Sequence, residues 1–360
     1  MTLRHESFGG ERPVLITGGA GFIGCNMAAA FAARGRNVLV FDNLARPGAH
    51  ENAHWLKGRF GDRVNIHTGD IRDAESVRDA VAHASAVIHL AAQVAVTTSL
   101  DRPLDDFEIN GRGTLNVLEA IRELNPAAPL LFASTNKVYG SLFGDAGVRR
   151  GGSRCEPADD VAQTGIGEEA PLDFHSPYGC SKGAADQYVR DYARVFGLRS
   201  AVMRMSCIYG PRQFGTEDQG WIAHFMLQAL AGNPITIYGD GLQVRDALHI
   251  EDAVAAWLAV LDEIDALKGS VFNLGGGPAN TLSLRELLDF IEELRGEAAE
   301  VAFSATRPGD QPWYVSDTRA LSAATGWQPT IALPAGLRTL WQWLERRVAP
   351  ARLQAVGARR

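Results

Sequence analysis

The sequence predicts an α/β protein: a doubly wound parallel sheet covered by helices on both faces, with a smaller mixed α/β domain after it. Three observations carry this. Apolar, β-rich runs alternate with helical stretches through the first half, a glycine-rich turn stands between the first run and the first helix, and after Gly210 the elements shorten and are broken by Gly and Pro. At 360 residues, 46% of them apolar and 21% charged, the chain is long enough for a large core or two fused domains.

The first strand is PVLIT, from Pro13 to Thr17. An amphipathic helix follows from Phe22 to about Arg34, Gly35 stops it, and NVLVFD from Asn37 to Asp42 is the second strand. RVNIHTGD, AVIHLAA around Ile88 and LLFAST around Phe132 supply three more, and SAVMRMSCIYG reads as a sixth. The dinucleotide-binding type of domain is assigned to 12–210 with later returns near 244–274, and 211–348 is mainly for substrate, interleaved with it. In the second part ITIYGDG and FNLGGG are short elements, with helices near Trp221 to Ala231, Leu284 to Arg295 and Ala335 to Arg346. Between Gly140 and His175 the pattern loses its period, so residues 141–175 form a loop that is either functional, covering a site, or mobile. The tail APARLQAVGARR is expected to fray.

A net charge of -7 leaves no overall basic field, which excludes nucleic acid as a partner and requires any phosphate to meet locally placed arginines. No apolar run is long enough to span a bilayer, and MTLRHESFGGERP lacks the apolar stretch of a secretory signal, so the expectation is no membrane and a cytoplasmic location. Cys25, Cys155, Cys180 and Cys207 form no CxxC pair; reduced thiols and no metal are expected.

The turn TGGAGFIG sits between strand and helix, the context that a Rossmann dinucleotide site requires. Gly18 permits the tight turn, Gly21 lets the backbone approach a pyrophosphate, and Gly24 lets helix and strand pack closely; Phe22 and Ile23 open the helix in the same set. Spacing alone would also suit an ordinary loop. Asp42 ends the second strand, with Asn43 beside it, and its carboxylate suits the two ribose hydroxyls of NAD while repelling a 2′-phosphate; Arg46 keeps NADP open. Asp70 and Ile71 end the third strand, either to hold the adenine or, for Asp70, to cap a helix. Leu90, Ala91 and Gln93 follow the fourth strand and complete the cofactor set.

Tyr178 and Lys182 in SPYGCSK are four apart, on one face of a helix. A phenol of ordinary pKa about 10 is a poor base at neutral pH, but a nearby ammonium and a positive nicotinamide ring favour the phenolate. The same pair would also suit a surface helix. The fifth strand ends in Ser134, Thr135 and Asn136, where a hydroxyl can orient a reacting oxygen.

Taken together, TGGAGFIG, STNKVYG and YGCSK resemble the extended short-chain dehydrogenases that modify nucleotide sugars. The longer words FDNLARPGA, QVAVTTS, DFEIN, LDFHSPYGCSKGAADQY, RQFG followed by DQGW, and QVRDALH are similar to the members of that family that epimerise CDP-linked sugars at C2, from about Val14 to Trp343. The resemblance implies a catalytic set of Thr135, Tyr178 and Lys182, tightly held NAD, oxidation of a nucleotide sugar at C2 with reduction on its other face, and a part in making the sugars of lipopolysaccharide O-antigens. A homo-oligomer, dimer or tetramer, is expected. Dehydratases of the superfamily carry an Asp-Glu pair after the threonine; Asn136 and Lys137 stand here, and cannot replace those carboxylates. Lys137 is either a contact to a sugar hydroxyl or a solvated surface lysine. The resemblance makes Arg245 and Arg307 a clamp on the diphosphate; the alternative is surface salt bridges to Asp246 and Asp310. Thr98 and Ser99 after the fourth strand, and Arg212 and Gln213 after the sixth, complete the substrate set with Asn136. His249 reads as a core or interface histidine. Two rivals remain: a UDP-sugar C4-epimerase or decarboxylase with the same machinery, and a non-catalytic NAD-binding sensor, against which Thr135, Tyr178 and Lys182 argue.

Overall fold

The computed structural model describes residues 11–143, 147–158, 160–307 and 309–357, with side-chain surroundings to Val348. The first half runs β1 (Val14–Thr17), α1 (Phe22–Ala33), β2 (Val38–Asp42), α2 (Ala49–Phe60), β3 (Val64–Thr68), α3 (Ala74–Ala82), β4 (Ala86–His89), α4 (Val96–Asp101), α5 (Pro103–Phe107), α6 (Gly113–Leu124) and β5 (Leu130–Thr135). Then come β6 (Val148–Arg150), β7 (Cys155–Pro157), α7 (Val161–Thr164), α8 (Ser176–Phe196), β8 (Ser200–Met205) and β9 (Cys207–Tyr209). The remainder is α9 (Trp221–Ala231), β10 (Ile235–Tyr238), β11 (Val244–His249), α10 (Ile250–Asp262), β12 (Val271–Leu274), β13 (Thr281–Ser283), α11 (Leu284–Arg295), β14 (Val301–Ser304), β15 (Trp313–Tyr314), α12 (Arg319–Thr325) and α13 (Leu333–Gly357).

Seven parallel strands in the order β12-β8-β5-β4-β1-β2-β3 form the main sheet. Because side chains alternate across a strand, Val14, Ile16, Val38, Val40 and Ile88 enter one core with α1, α2 and α10, while Leu15, Leu39, Phe41 and Val87 enter the other with α3, α6 and α8. The strand order reverses at β1, which pairs with both β2 and β4, and such a switch point opens a crevice at the strands' carboxyl ends. A second layer stands over that crevice. In it β11 pairs with β9, β13 and β15, β10 pairs with β14, and α9, α11 and α13 close a third core around Phe225, Met226, Ile235, Leu287 and Trp341.

Three expectations need correction. The run SAVMRMSCIYG is two strands in different sheets: β8 pairs with β5 and β12, whereas β9 pairs with β11. Ser206 makes the break, its N–H donating to Leu274 and its hydroxyl to Asp246. The described part of 141–175, expected as an aperiodic loop, carries regular structure tied to the second layer: β6 and β7 form a hairpin, Cys155 N donates to Leu242 O at 2.7 Å, and Arg154 grips both carboxylate oxygens of Glu286. Val148 and Ile166 pack there with Tyr139, Trp313 and Tyr314; residues 144–146 and 159 of that stretch lie outside the described residues. The last helix, expected near Ala335 to Arg346, is longer: α13 runs from Leu333 to Gly357. Among the described residues no helix is long and apolar enough to cross a membrane.

α8 meets the main sheet at a buried ion pair. Arg204 on β8 forks onto Asp186 of α8 at 2.9 and 3.0 Å, Ser134 donates to the same carboxylate at 2.7 Å, and Arg204 also donates to the Tyr139 hydroxyl, which donates to Asn273 on β12. Removing one member of so buried a pair leaves the other uncompensated. Asp186→Asn should therefore cost about 3–5 kcal/mol of unfolding free energy, read as a lower urea midpoint with an unchanged slope.

Candidate active site

At the carboxyl ends of β1–β5 lies one continuous cavity of about 760 Å³, bounded above by the second layer. All the sequence-assigned site residues line it except Ser99, which is fully buried and donates its hydroxyl to Val96 O within α4.

On the β1 side the cavity has the shape of a dinucleotide cradle. Gly18 has φ +69, and a Cβ there would lie 2.7 Å from Ala91 N; a Cβ on Gly24 would lie 2.3 Å from Gly18 O. Only glycine lets the turn and α1 approach this closely, leaving the helix N-terminus at Gly21, Phe22 and Ile23 open to an anion. Asp42 is held by Ala20 N at 2.9 Å and Leu44 N at 2.8 Å, which aims its carboxylate with lone pairs to spare. Asn43 donates to Asp70, and Arg72 forks onto Asp70 and holds that carboxyl well below the usual range. The cap of α3 is Asp73, so Asp70 is not a helix cap. Glycines, helix terminus and carboxylate together fit a dinucleotide.

Thr135 ends β5, and Tyr178 stands in the first turn of α8; both line the cavity, and the Thr135 side chain favours the ionised phenol. Tyr178, Lys182, Asp186 and Val189 form the buried stripe that α8 lays on the sheet. Burial pushes the Tyr178 phenol up to about 12, with Thr135 and Arg46 pulling down and Asp106 pushing up. Burial lowers Lys182 to about 7, against the pull of Asp186 and Asp106, and its Nζ lies 4.2 Å from the centre of the Phe132 ring. In the protein alone burial therefore outweighs the neighbouring charges, and the phenol is protonated at neutral pH. Asp106 is fully buried between Gln93, Asn110 and Ser181, to which it is hydrogen-bonded.

On the second-layer side, Lys137 Nζ donates to Gly309 O at 3.1 Å and lies 3.9 Å from Asp310; burial and Arg245 lower it to about 8. It is therefore not a solvated surface lysine. Arg245 is buried and bonds Asp310 at 2.7 Å; burial would raise that carboxyl, but Arg245 and Lys137 hold it low. Arg307 lies 3.8 Å over the Tyr238 ring, with Glu217 and Asp218 each at 3.5 Å. Both arginines are ion-paired, yet inside the cavity, and Asp246 takes no part: it accepts from Ser206 and Gly277. Thr98 faces the cavity. Asn136 donates to Gln311, and Gln213 to Ile208 O. Arg212 turns its guanidinium onto Trp55 at 3.9 Å. His249 is a core residue that caps α10 through Glu251 N.

Sequence reasoning missed Asp106, Asp186, Gln243 and Tyr238; Asp310 it named only as a surface salt-bridge partner. Only Asp186 carried a local signal, four residues beyond Lys182 on one helix face.

Fold and cavity define a Rossmann enzyme that works with a bound dinucleotide, and residues 14–275 match the NAD dependent epimerase/dehydratase family, to which the chain belongs. It is 42% identical to the CDP-paratose 2-epimerase of Salmonella typhi over 92% of this chain and 98% of that one. It is 31% identical to the dTDP-glucose 4,6-dehydratase of Neisseria meningitidis serogroup B, covering 92% and 93%. Among solved structures it is similar to the UDP-glucose 4-epimerase of Thermus thermophilus in complex with NAD, with a TM-score of 0.76, 34% identity and coverage of 92% and 98%. The UDP-glucuronic acid 4-epimerase of Bacillus cereus in complex with UDP-glucuronic acid and NAD superposes with a TM-score of 0.80 at 25% identity, covering 93% and 99%. The protein is an NAD-dependent enzyme.

With NAD removed, the Tyr178 phenol should stay protonated between pH 6 and 9. The difference in absorbance at the phenolate band between the parent and Tyr178→Phe measures this; a difference signal that titrates near neutral pH would show that a cation other than the cofactor ionises the phenol.

Proposed function

We propose that the chain epimerises a CDP-linked sugar at C2, interconverting CDP-paratose and CDP-tyvelose through a 2-keto sugar. The observation that carries this is the reacting set itself: Thr135, Tyr178 and Lys182 line one cavity, and the positions after the threonine hold an amide and an ammonium rather than the acid pair that elimination needs. The 42% identity to the CDP-paratose 2-epimerase over nearly the whole chain supports the choice of sugar and base.

In this reading Gly18, Gly21, Phe22, Ile23, Gly24, Asp42, Asn43, Asp70, Ile71, Leu90, Ala91 and Gln93 hold NAD, which when bound accepts hydride from the sugar and gives it back. Thr135 orients the C2 oxygen, and Tyr178 takes its proton and later returns it, so no proton need leave the site. The second positive charge that ionises a buried phenol comes with the oxidised cofactor, and Lys182, poised near neutrality, adds its charge when Asp106 and Asp186 keep it protonated. Arg245 and Arg307 clamp the diphosphate, exchanging Asp310, Glu217 and Asp218 for phosphate oxygens. Lys137 and Thr98 reach the sugar. Exposed Leu104, Phe107, Tyr188, Val195 and Phe196 on α5 and α8, which pack together, form the face over which two copies associate. The enzyme works in the cytoplasm, on sugars destined for O-antigen.

Two measurements test this. The purified protein should carry NAD and interconvert CDP-paratose and CDP-tyvelose, and product made in deuterated water should hold no deuterium at C2, because the hydrogen removed there returns there. Deuterium at C2 would defeat the mechanism, and inversion only at C4 of UDP-sugars would defeat the substrate assignment. Separately, Tyr178→Phe should lower kcat by about a hundredfold to ten-thousandfold while still binding CDP; near-normal turnover would mean another residue is the base.

A further inference from the structure

Between β9 and α9 the chain leaves the second layer and lies across the helices of the dinucleotide half. Asn26 of α1 donates to Pro211 O at 3.1 Å, and Asn52 of α2 donates both to Arg212 O at 3.4 Å and to Ala20 O, in the glycine turn, at 3.1 Å. The Arg212 guanidinium lies flat against Trp55 of α2 at 3.9 Å. Phe214 fills the space over Gly48, where a Cβ would come within 2.1 Å of the ring, and packs edge-on to Trp343, with Arg347 above it and ion-paired to Glu51. Arg212 itself has φ +75, a conformation that a side-chain-bearing residue keeps only when its surroundings impose it. Residues 212–214 and Asn52 line the same cavity as Phe22, Ile23 and Gly24. Asn52 Oδ1 is buried there without a partner among the described residues.

We infer that Pro211–Phe214 is a strap across the cofactor cleft, fastened on the dinucleotide half by Asn26, Asn52 and Trp55, and that Arg212 serves to retain NAD rather than to bind the sugar nucleotide. The strap crosses beside the α1 N-terminus, where the pyrophosphate of a dinucleotide belongs, so release of the cofactor requires two amide hydrogen bonds and a cation–π contact to be broken together. An epimerase has a use for this: its cofactor is regenerated within each turnover, and escape between the two halves of the reaction would strand a keto sugar. The inference rests on the NAD-dependent epimerase reading, but concerns only how the cofactor is kept.

The test is the rate at which the holoenzyme loses NAD. Parent, Arg212→Gln and Trp55→Leu are desalted, sampled over time, and the nucleotide that remains bound is extracted with acid and assayed by enzymatic cycling. Each variant should lose NAD about three- to thirtyfold faster, the range spanned by loss of one cation–π contact. Their affinity for CDP should match the parent's, and thermal melting of the NAD-free proteins, unchanged among the three, would show that the fold is intact. Loss at the parent's rate in both variants overturns the strap. Weaker CDP binding with unaltered NAD loss also overturns it and returns Arg212 to the substrate. A parent that sheds NAD within minutes, but more slowly than its variants, would keep the strap and count instead against the epimerase reading.

Discussion

Arg204 and Asp186 hold together the part of the molecule in which the chemistry sits. Ser134 and Arg204 are cross-strand neighbours in register on β5 and β8, and both face the one carboxylate that α8 presents between them. That fixes α8 in height and rotation over the sheet. The consequence is local: Lys182 is one turn from Asp186 and lies on Phe132, Tyr178 is one turn further, and Thr135 directly follows Ser134. A charge pair so fully buried gains little net stability over apolar packing, but it leaves few alternative ways for helix and sheet to meet. Here the specificity it confers is the placing of Tyr178 and Thr135 on one cavity wall.

The cavity's charges are balanced before any ligand enters, and each balance is one that a ligand can replace. Arg245, Lys137 and Arg307 carry Asp310, Glu217 and Asp218 as counter-charges, so in the proposed reading a diphosphate would enter by exchange, not by simple attraction. Exchange is selective. A ligand without two acidic oxygens in the right places cannot offset the loss of those carboxylates, whereas a diphosphate satisfies planar guanidinium groups at least as well. The reacting end works by the opposite logic: Tyr178 and Lys182 sit where burial suppresses both charges, leaving the phenol neutral near 12 and the ammonium near 7 until further charge arrives.

How much of this was legible follows from where each signal resides. β1 to β5 and α1 were plain, because strands covered on both faces read as uninterrupted apolar runs and a glycine turn between strand and helix has few other meanings. The sixth run misled because Ser206 looks like any small residue in an apolar stretch; that it divides two sheets depends on Leu274 and Asp246, far along the chain. The order in 141–175 was invisible for the same reason, since Cys155 is held by Leu242 and Arg154 by Glu286. At the site, four-residue spacing placed Tyr178 and Lys182 on one face but said nothing of burial, and burial decides their charge. Asp106 escaped notice because an aspartate's partners are not written beside it. Ser99 was included by adjacency to Thr98, although neighbouring helix positions point about 100° apart.

The break at Ser206 also explains why one chain segment can serve both halves. Had β8 continued straight, the residues after it would have stayed beside the main sheet. Instead Ser206 is tied to Leu274 on one side and to Asp246 on the other, so β9 joins β11 in the second layer while still starting at the floor of the cavity. Gly210, at φ +147, and Arg212, at φ +75, then turn the chain back over α1 and α2, where Asn26, Asn52 and Trp55 receive it. The ties of this segment to the two parts thus include Ser206 on Asp246 and Arg212 on Trp55, and the cavity borders both Ser206 and Arg212. A ligand that spans both halves strengthens this closure, and the closure in turn slows that ligand's escape. In the strap reading, cofactor retention would follow from the chain's path and from the few side chains that hold it.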